Sequence, residues 1–145
     1  MRYLAIDLGD KRTGLAVGDD VTGLVSPAGV VEKPRVPGEE LLAGIVAAVE
    51  EYGPVALVVG LPLNMDGTEG PRSRIVREVA QRIAAHTGLE TVFQDERLTS
   101  ADADWSMARS GLTRGQKKNR RDAIAAAAIL RDYFERTPGP GEARG

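Results

Sequence analysis

A chain of 145 residues, 42% hydrophobic and 28% charged, has the composition of an ordinary soluble protein, and its length suits one domain. It contains no cysteine, which excludes a disulfide framework, a zinc–thiolate site and a cysteine nucleophile. A formal net charge of −2 argues against indiscriminate adhesion to nucleic acid but leaves room for a local basic patch. No apolar run reaches membrane length, and Met1 leads almost at once into a strand, so a cytoplasmic protein is the expectation.

Residues 3–8, YLAIDL, form the first predicted strand, and Asp7 interrupts its aliphatic run. An ionised carboxylate beside a core is costly unless a cation compensates it. Gly9 and Gly14 bracket a short turn, DKR, and residues 12–17 resume as a second strand, giving a hairpin with an acid near the end of its first arm. Residues 23–31 form a third strand, which Pro27 assigns to a sheet edge or a bulge. Over residues 38–52, Leu41, Leu42, Ile45, Val46 and Val49 share one helical face, and Gly53-Pro54 ends the helix. The run VALVV at 55–59 has the pattern of a strand covered on both faces.

Residues 60–70 have turn composition. Pro71 then opens a helix striped by Ile75, Val76, Val79 and Ile83 and closed by Gly88. A short strand at 91–94 runs directly into Asp95-Glu96-Arg97. Thr99 with Asp102 resembles a capping box for a helix through Trp105 to Arg109. An alanine-rich final helix covers about 120–136. The Pro/Gly-rich residues 137–145 read as a disordered tail, which leaves 1–136 as a single domain.

Three strands without an intervening helix, followed by helix–strand–helix–strand, predict an α/β fold with a mixed five-stranded sheet: an antiparallel meander joined to parallel strands, flanked by helices. Right-handed crossovers align the strands at 3–8, 55–59 and 91–94, and sites in such sheets lie at the carboxyl ends of those strands. Asp7 and the Asp95-Glu96 pair fall there. Asp122 shares a helical face with Ala126, Ile129 and Tyr133, so it extends the sheet-facing stripe, and the alanines at 125–128 allow a close approach. Each acid also has a plainer explanation: a strand-end acid satisfied by the DKR turn for Asp7, a surface turn for Asp95 and Glu96, and a favourable helix N-terminus for Asp122.

Acids gathered at one sheet edge repel each other, and a divalent cation removes the conflict. Oxygen ligands without His or Cys suit Mg²⁺ or Mn²⁺, the chemistry of a metal-dependent nuclease that uses water as its nucleophile. Between Asp104 and Asp122 there is no acid, yet Arg109, Arg114, Lys117, Lys118, Arg120 and Arg121 all fall there, a candidate phosphate-binding stretch. Lys11, Arg12 and Arg97 adjoin acids and could hold phosphates. Asn64 and Asp66 could approach substrate or merely build an Asn/Asp-Gly turn. With one Trp, three Tyr and two Phe, backbone and shape contacts are favoured over base stacking. His86, the only histidine, reads as a partner for a helix C-terminus, and Trp105 as core.

The segments AIDLGDKRTGLAVGD, VVGLPLNMDGTEGP, FQDERLTS and RRDAIAAAAIL occur in the order found in the YqgF family, which the chain resembles over about positions 3–134. Members are described as Holliday junction resolvase-like proteins or pre-16S ribosomal RNA nucleases. The resemblance implies a ribonuclease H-like fold and a nuclease role at the 5′ end of precursor 16S rRNA in the bacterial cytoplasm. The family's first acid falls on Asp7, its DER motif on Asp95, Glu96 and Arg97, and its helical acid on Asp122. In the broader resolvase group a carboxylate follows the strand beside the first. Here that strand ends in Gly60-Leu61-Pro62, so the acid one strand further on takes the second role. Strand register decides between Asp95 and Glu96; the longer reach of Glu96 favours it.

Three rival readings remain at this level. The segment DLGDKRTG also resembles the phosphate hairpin of actin-like and sugar-kinase ATPases, but those bind nucleotide between two such domains. A four-way DNA resolvase and a non-catalytic RNA-binding assembly factor are the closer alternatives. A resolvase that cuts two strands symmetrically would work as a homodimer, whereas trimming one RNA strand needs only a monomer.

Overall fold

The computed structural model describes residues 1–34, 38–96 and 114–136, with the side chains of 114–120 left undescribed. The helix expected at Thr99–Arg109, the residue Arg97, the side chains of Arg114, Lys117, Lys118 and Arg120, and the tail at 137–145 lie outside the described residues.

The elements run β1 (Arg2–Leu8), β2 (Thr13–Asp19), β3 (Val25–Val31), α1 (Glu39–Tyr52), β4 (Ala56–Leu61), α2 (Pro71–Thr87), β5 (Glu90–Asp95) and α3 (Arg114–Arg136). They form one five-stranded sheet in the order β3-β2-β1-β4-β5. β1 is antiparallel to β2 and parallel to β4, and β4 is parallel to β5. The meander and the two crossovers are therefore as the chain order implies. Pro27 lies on the edge strand, at a register shift where Leu15 faces Gly29 but Ala16 faces Pro27. A residue that cannot donate to the ladder is tolerated there.

Alternation along the strands divides the core in two. Leu4, Ile6, Leu8, Leu57 and Val59 pack with Leu41, Leu42 and Ile45 of α1 and with Val76, Val79 and Ile83 of α2. On the other face, Ala5, Ala16 and Val58 meet Ala126, Ala127, Ile129 and Leu130 of α3. Small residues on both sides of this second layer let the α3 backbone lie close to the sheet. Tyr3 stacks with Tyr133 and Phe134 at centroid distances of 5.8 and 5.5 Å, pinning the far end of the helix.

Two boundaries differ from the sequence reading. β4 begins at Ala56 and runs to Leu61, buried throughout, while Val55 stays exposed. α3 begins at Arg114 rather than near 120, because Gln116, Lys117, Lys118, Arg120 and Arg121 are good helix formers and a single glycine does not stop the run. Asp122 thus sits roughly two turns inside the helix, and the N-terminal preference of acids no longer accounts for it.

Candidate active site

Asp7 occupies the next-to-last position of β1, opposite Gly14 of β2. Two residues after Ala5, it points to the α3 face of the sheet. On β5, Val92 packs in the α3 layer, and Gln94 Nε2 donates to Asp132 Oδ2 on α3 at 2.7 Å. The same alternation carries Glu96 to that face and turns Asp95 away. The backbone N–H of Glu96 donates to the carbonyl of Leu61 at 3.3 Å, which extends the β4–β5 pairing one step past the strand.

Between β1 and β5 lies β4, and its Gly60 opens the space in which the two acids meet. A β-carbon at Gly60 would stand 2.7 Å from Glu96 Oε2 and 2.5 Å from Ile129 Cδ1. The absence of a side chain at Gly60, the next-to-last residue of β4, thus leaves room for the Glu96 carboxyl and Ile129 between the strands.

Asp7 and Glu96 are hydrogen-bonded to each other. Burial pushes the Asp7 carboxyl up to about 7, helped by the charges of Glu96 and Asp122 and opposed by the Arg72 guanidinium. Burial also raises Glu96, while the bond from Asp7 and the charge of Arg72 pull it back. Two buried carboxyls in such contact cannot both ionise cheaply, so the pair as a unit holds on to one proton.

Asp122 lies within electrostatic reach of Asp7. Its carboxylate is held by Arg12, whose Nε donates to Oδ2 at 2.7 Å; both side chains are half-buried. Among the described residues, no three acidic or histidine side chains are grouped closely enough to hold a metal ion. Asp7 and Glu96 are therefore in contact, and Asp122 is a neighbour tied to a cation of the β1–β2 turn.

The remaining candidates are placed as follows. Lys11 is exposed in the β1–β2 turn, and Arg121 is exposed beside Asp122. Asn64 is exposed but builds a small hairpin: its N–H donates to the Thr68 carbonyl at 2.8 Å, its Nδ2 donates to Thr68 Oγ1 at 3.0 Å, and Gly67 takes a positive φ of 89°. Asp66 accepts from Thr68 N and Oγ1 at 3.0 and 2.6 Å. The hairpin is braced from α2 by Arg77, which grips Glu69 at 2.6 and 2.9 Å and lies 4.6 Å over the Phe93 ring. His86 Nδ1 lies 3.0 Å from the carbonyl of Arg82 in the last turn of α2, away from the acids.

Sequence reasoning missed Arg72. It lies in the first turn of α2, which is anchored to the end of β4 by the bond from Ser73 Oγ to the Pro62 carbonyl. From there its charge acts on both Asp7 and Glu96. A signal was present: a first helical turn that holds basic residues and no acid opposes the helix dipole, as a cation facing nearby anions would.

A mixed sheet in this strand order, with acids at the carboxyl ends of β1 and β5 and a third on the covering helix, defines a ribonuclease H-like protein of the resolvase type. Structural comparison agrees on the fold. Thermus thermophilus RuvC in complex with a Holliday junction substrate superposes with a TM-score of 0.57 at 14% identity, covering 94% of each chain. The fowlpox virus resolvase with Holliday junction DNA gives 0.57 at 11% identity, covering 94% of this chain and 98% of that one. A family model described as RuvX, Holliday junction resolvase, matches residues 1–136, and the chain belongs to that family, the YqgF group of the sequence motifs. Relatives named "Putative pre-16S rRNA nuclease" include one from Anaeromyxobacter sp. (strain Fw109-5), 41% identical over 135 residues, covering 93% of this chain and 97% of the relative. Another, from Nitrosospira multiformis, is 40% identical over 132 residues, covering 91% and 86%.

Proposed function

We propose that residues 1–136 act as one nuclease domain that hydrolyses phosphodiester bonds with the aid of Mg²⁺ or Mn²⁺, in maturation of the 5′ end of precursor 16S rRNA. The observation that carries this reading is the hydrogen-bonded Asp7–Glu96 pair at the carboxyl ends of parallel strands, with Asp122 in electrostatic reach. Family membership and the names of the relatives support nucleic acid as the substrate. No described helix is long and apolar enough to cross a membrane, and a cytoplasmic site of action goes with the rRNA reading.

The residues present fit a divalent cation. The donors are carboxylate oxygens, as hard cations prefer, and the buried Asp7 has Glu96 and Asp122 as anionic neighbours whose charges add to the effect of burial on its proton affinity. Asp7, Glu96 and Asp122 would hold the ion, which supplies Lewis-acid activation of water and neutralises charge on the phosphoryl oxygens. Asp7 and Glu96 must release their shared proton to act as ligands. Arg72, whose charge acts on the acids, and the exposed Lys11 and Arg121 would orient substrate phosphates, with Arg97, Lys117, Lys118 and Arg120 as further phosphate-binding candidates in the sequence. Asn64 presents the braced hairpin toward the same end of the sheet.

A second reading, cleavage of four-way DNA, is favoured by the family description and by the junction-bound neighbours, which share the fold. Precursor rRNA and four-way DNA offered side by side with Mg²⁺ or Mn²⁺, with Asp7→Asn as control, separate the readings. Cleavage of rRNA alone is the expected result, by a monomer. Cleavage of junctions by a homodimer would replace the first reading with the second. Binding of either without cleavage would make the protein an assembly factor.

A further inference from the structure

We infer that Arg12 is the resident counter-ion of Asp122 and is exchanged for the divalent cation when the site loads, which frees its guanidinium for a substrate phosphate. This rests on the metal-dependent reading above.

The ion pair is well made: Nε to Oδ2 is 2.7 Å, and the side chains are 32% and 24% exposed, so neither charge is fully screened by water. The backbones on both sides are fixed. The carbonyl of Arg12 accepts from Gly9 N at 3.0 Å and closes the β1–β2 turn, and the backbone of Asp122 is pressed against Gly14. Any exchange must therefore come from the arginine side chain, the one long and partly exposed member of the group.

Among the described residues Asp122 does not join Asp7 and Glu96 in one cluster. The third acid is near enough for its charge to act on Asp7, and it is held by a guanidinium instead. A cation that takes Asp122 must displace Arg12, and the displaced guanidinium then lies beside the loaded site. Its planar fork of donors suits two phosphate oxygens at once. Cation and phosphate binding are thereby coupled, and the coupling must be reciprocal. Arg12 is a substrate-binding residue in this scheme.

The test is calorimetric titration of Mn²⁺, without nucleic acid, into the wild type, Arg12→Ala, Asp122→Asn and the double variant. Arg12→Ala should bind Mn²⁺ about 5- to 10-fold more tightly than the wild type. In the Asp122→Asn background the same substitution should change affinity less than about twofold, because the competition has been removed. An unchanged affinity in Arg12→Ala overturns the exchange. So does an equal gain in both backgrounds, which would mean a general field effect. If even the wild type takes up no Mn²⁺, the metal-dependent reading fails and the exchange with it. Should Arg12→Ala unfold, Arg12→Gln takes its place in the same cycle. A second readout uses an oligoribonucleotide with bridging methylene-phosphonate linkages, which keep the negative charge and carry P–C in place of the scissile P–O bond: Mn²⁺ should tighten its binding to the wild type and do so several-fold less in Arg12→Ala. Equal tightening would remove the phosphate half of the inference.

Discussion

Gly14 and Asp122 meet backbone to backbone: a β-carbon on Gly14 would overlap the Asp122 carbonyl and stand 3.1 Å from the Ala123 nitrogen. Gly14 is also the cross-strand partner of Asp7. One contact therefore sets the height of α3 above the sheet and the distance between two of the acids. Gly14→Ala should cost about 1–3 kcal/mol, because the atoms it meets belong to main chain and cannot turn aside. Urea unfolding measures this; an unchanged midpoint would mean that α3 lifts freely.

Gly60→Ala makes a contrasting case. Its β-carbon would press on Ile129 Cδ1 and Glu96 Oε2, both ends of movable side chains. Stability should fall less than in Gly14→Ala, while cleavage should fall at least tenfold as Glu96 is pushed from Asp7. A fully active Gly60→Ala protein would remove the geometric role given to this glycine.

The Asp7 carboxyl, pushed up to about 7 in the folded protein, returns to about 4 when the chain unfolds. Between those values the native state holds a proton that the unfolded state has lost, so this group makes stability fall as pH rises from about 4 to about 7. Asp7→Asn abolishes that slope. In metal-free buffer the variant should gain on the wild type by on the order of 1 kcal/mol or more between pH 5 and pH 8. Denaturant melts at the two pH values decide it, and a constant difference would show that Asp7 titrates normally.

Loading the site must expel that same proton. Mn²⁺ titrations at pH 6 in buffers of different ionisation enthalpy should report release of up to about one proton per ion, declining toward pH 8. Uptake, or no buffer dependence at pH 6, would place the cation elsewhere.

Lys117 and Lys118 lie on α3 ahead of Asp122. Replacing both by alanine should weaken binding of any RNA sequence and lower the slope of log affinity against log salt by about 1–2. An unchanged slope would take these lysines off the phosphate track.

Much of this architecture is written locally along the chain. The short apolar run of β1 interrupted by Asp7, the Gly-bracketed turn into β2, the continuous apolar run of β4, the helical stripes of α1 and α2, the stops at Gly53 and Gly88 and the start at Pro71 each reflect short-range physics. Three helix-free strands followed by two crossovers leave few sheet topologies, so the mixed sheet and the acids at its carboxyl edge were legible as well. The two-turn extension of α3 was not, because propensity alone does not place a helix start.

The sequence by itself determined the residue types: oxygen donors, a cation-rich stretch and a glycine near the end of the strand between the two acids. Only the tertiary structure decided which of them meet. The register of β5 turns Glu96 rather than Asp95 toward Asp7, the docking of α3 on Gly14 brings Asp122 near, and the β1–β2 turn hands that acid to Arg12. These are contacts between residues distant in the chain, and they depend on strand register and helix height, which no local pattern encodes.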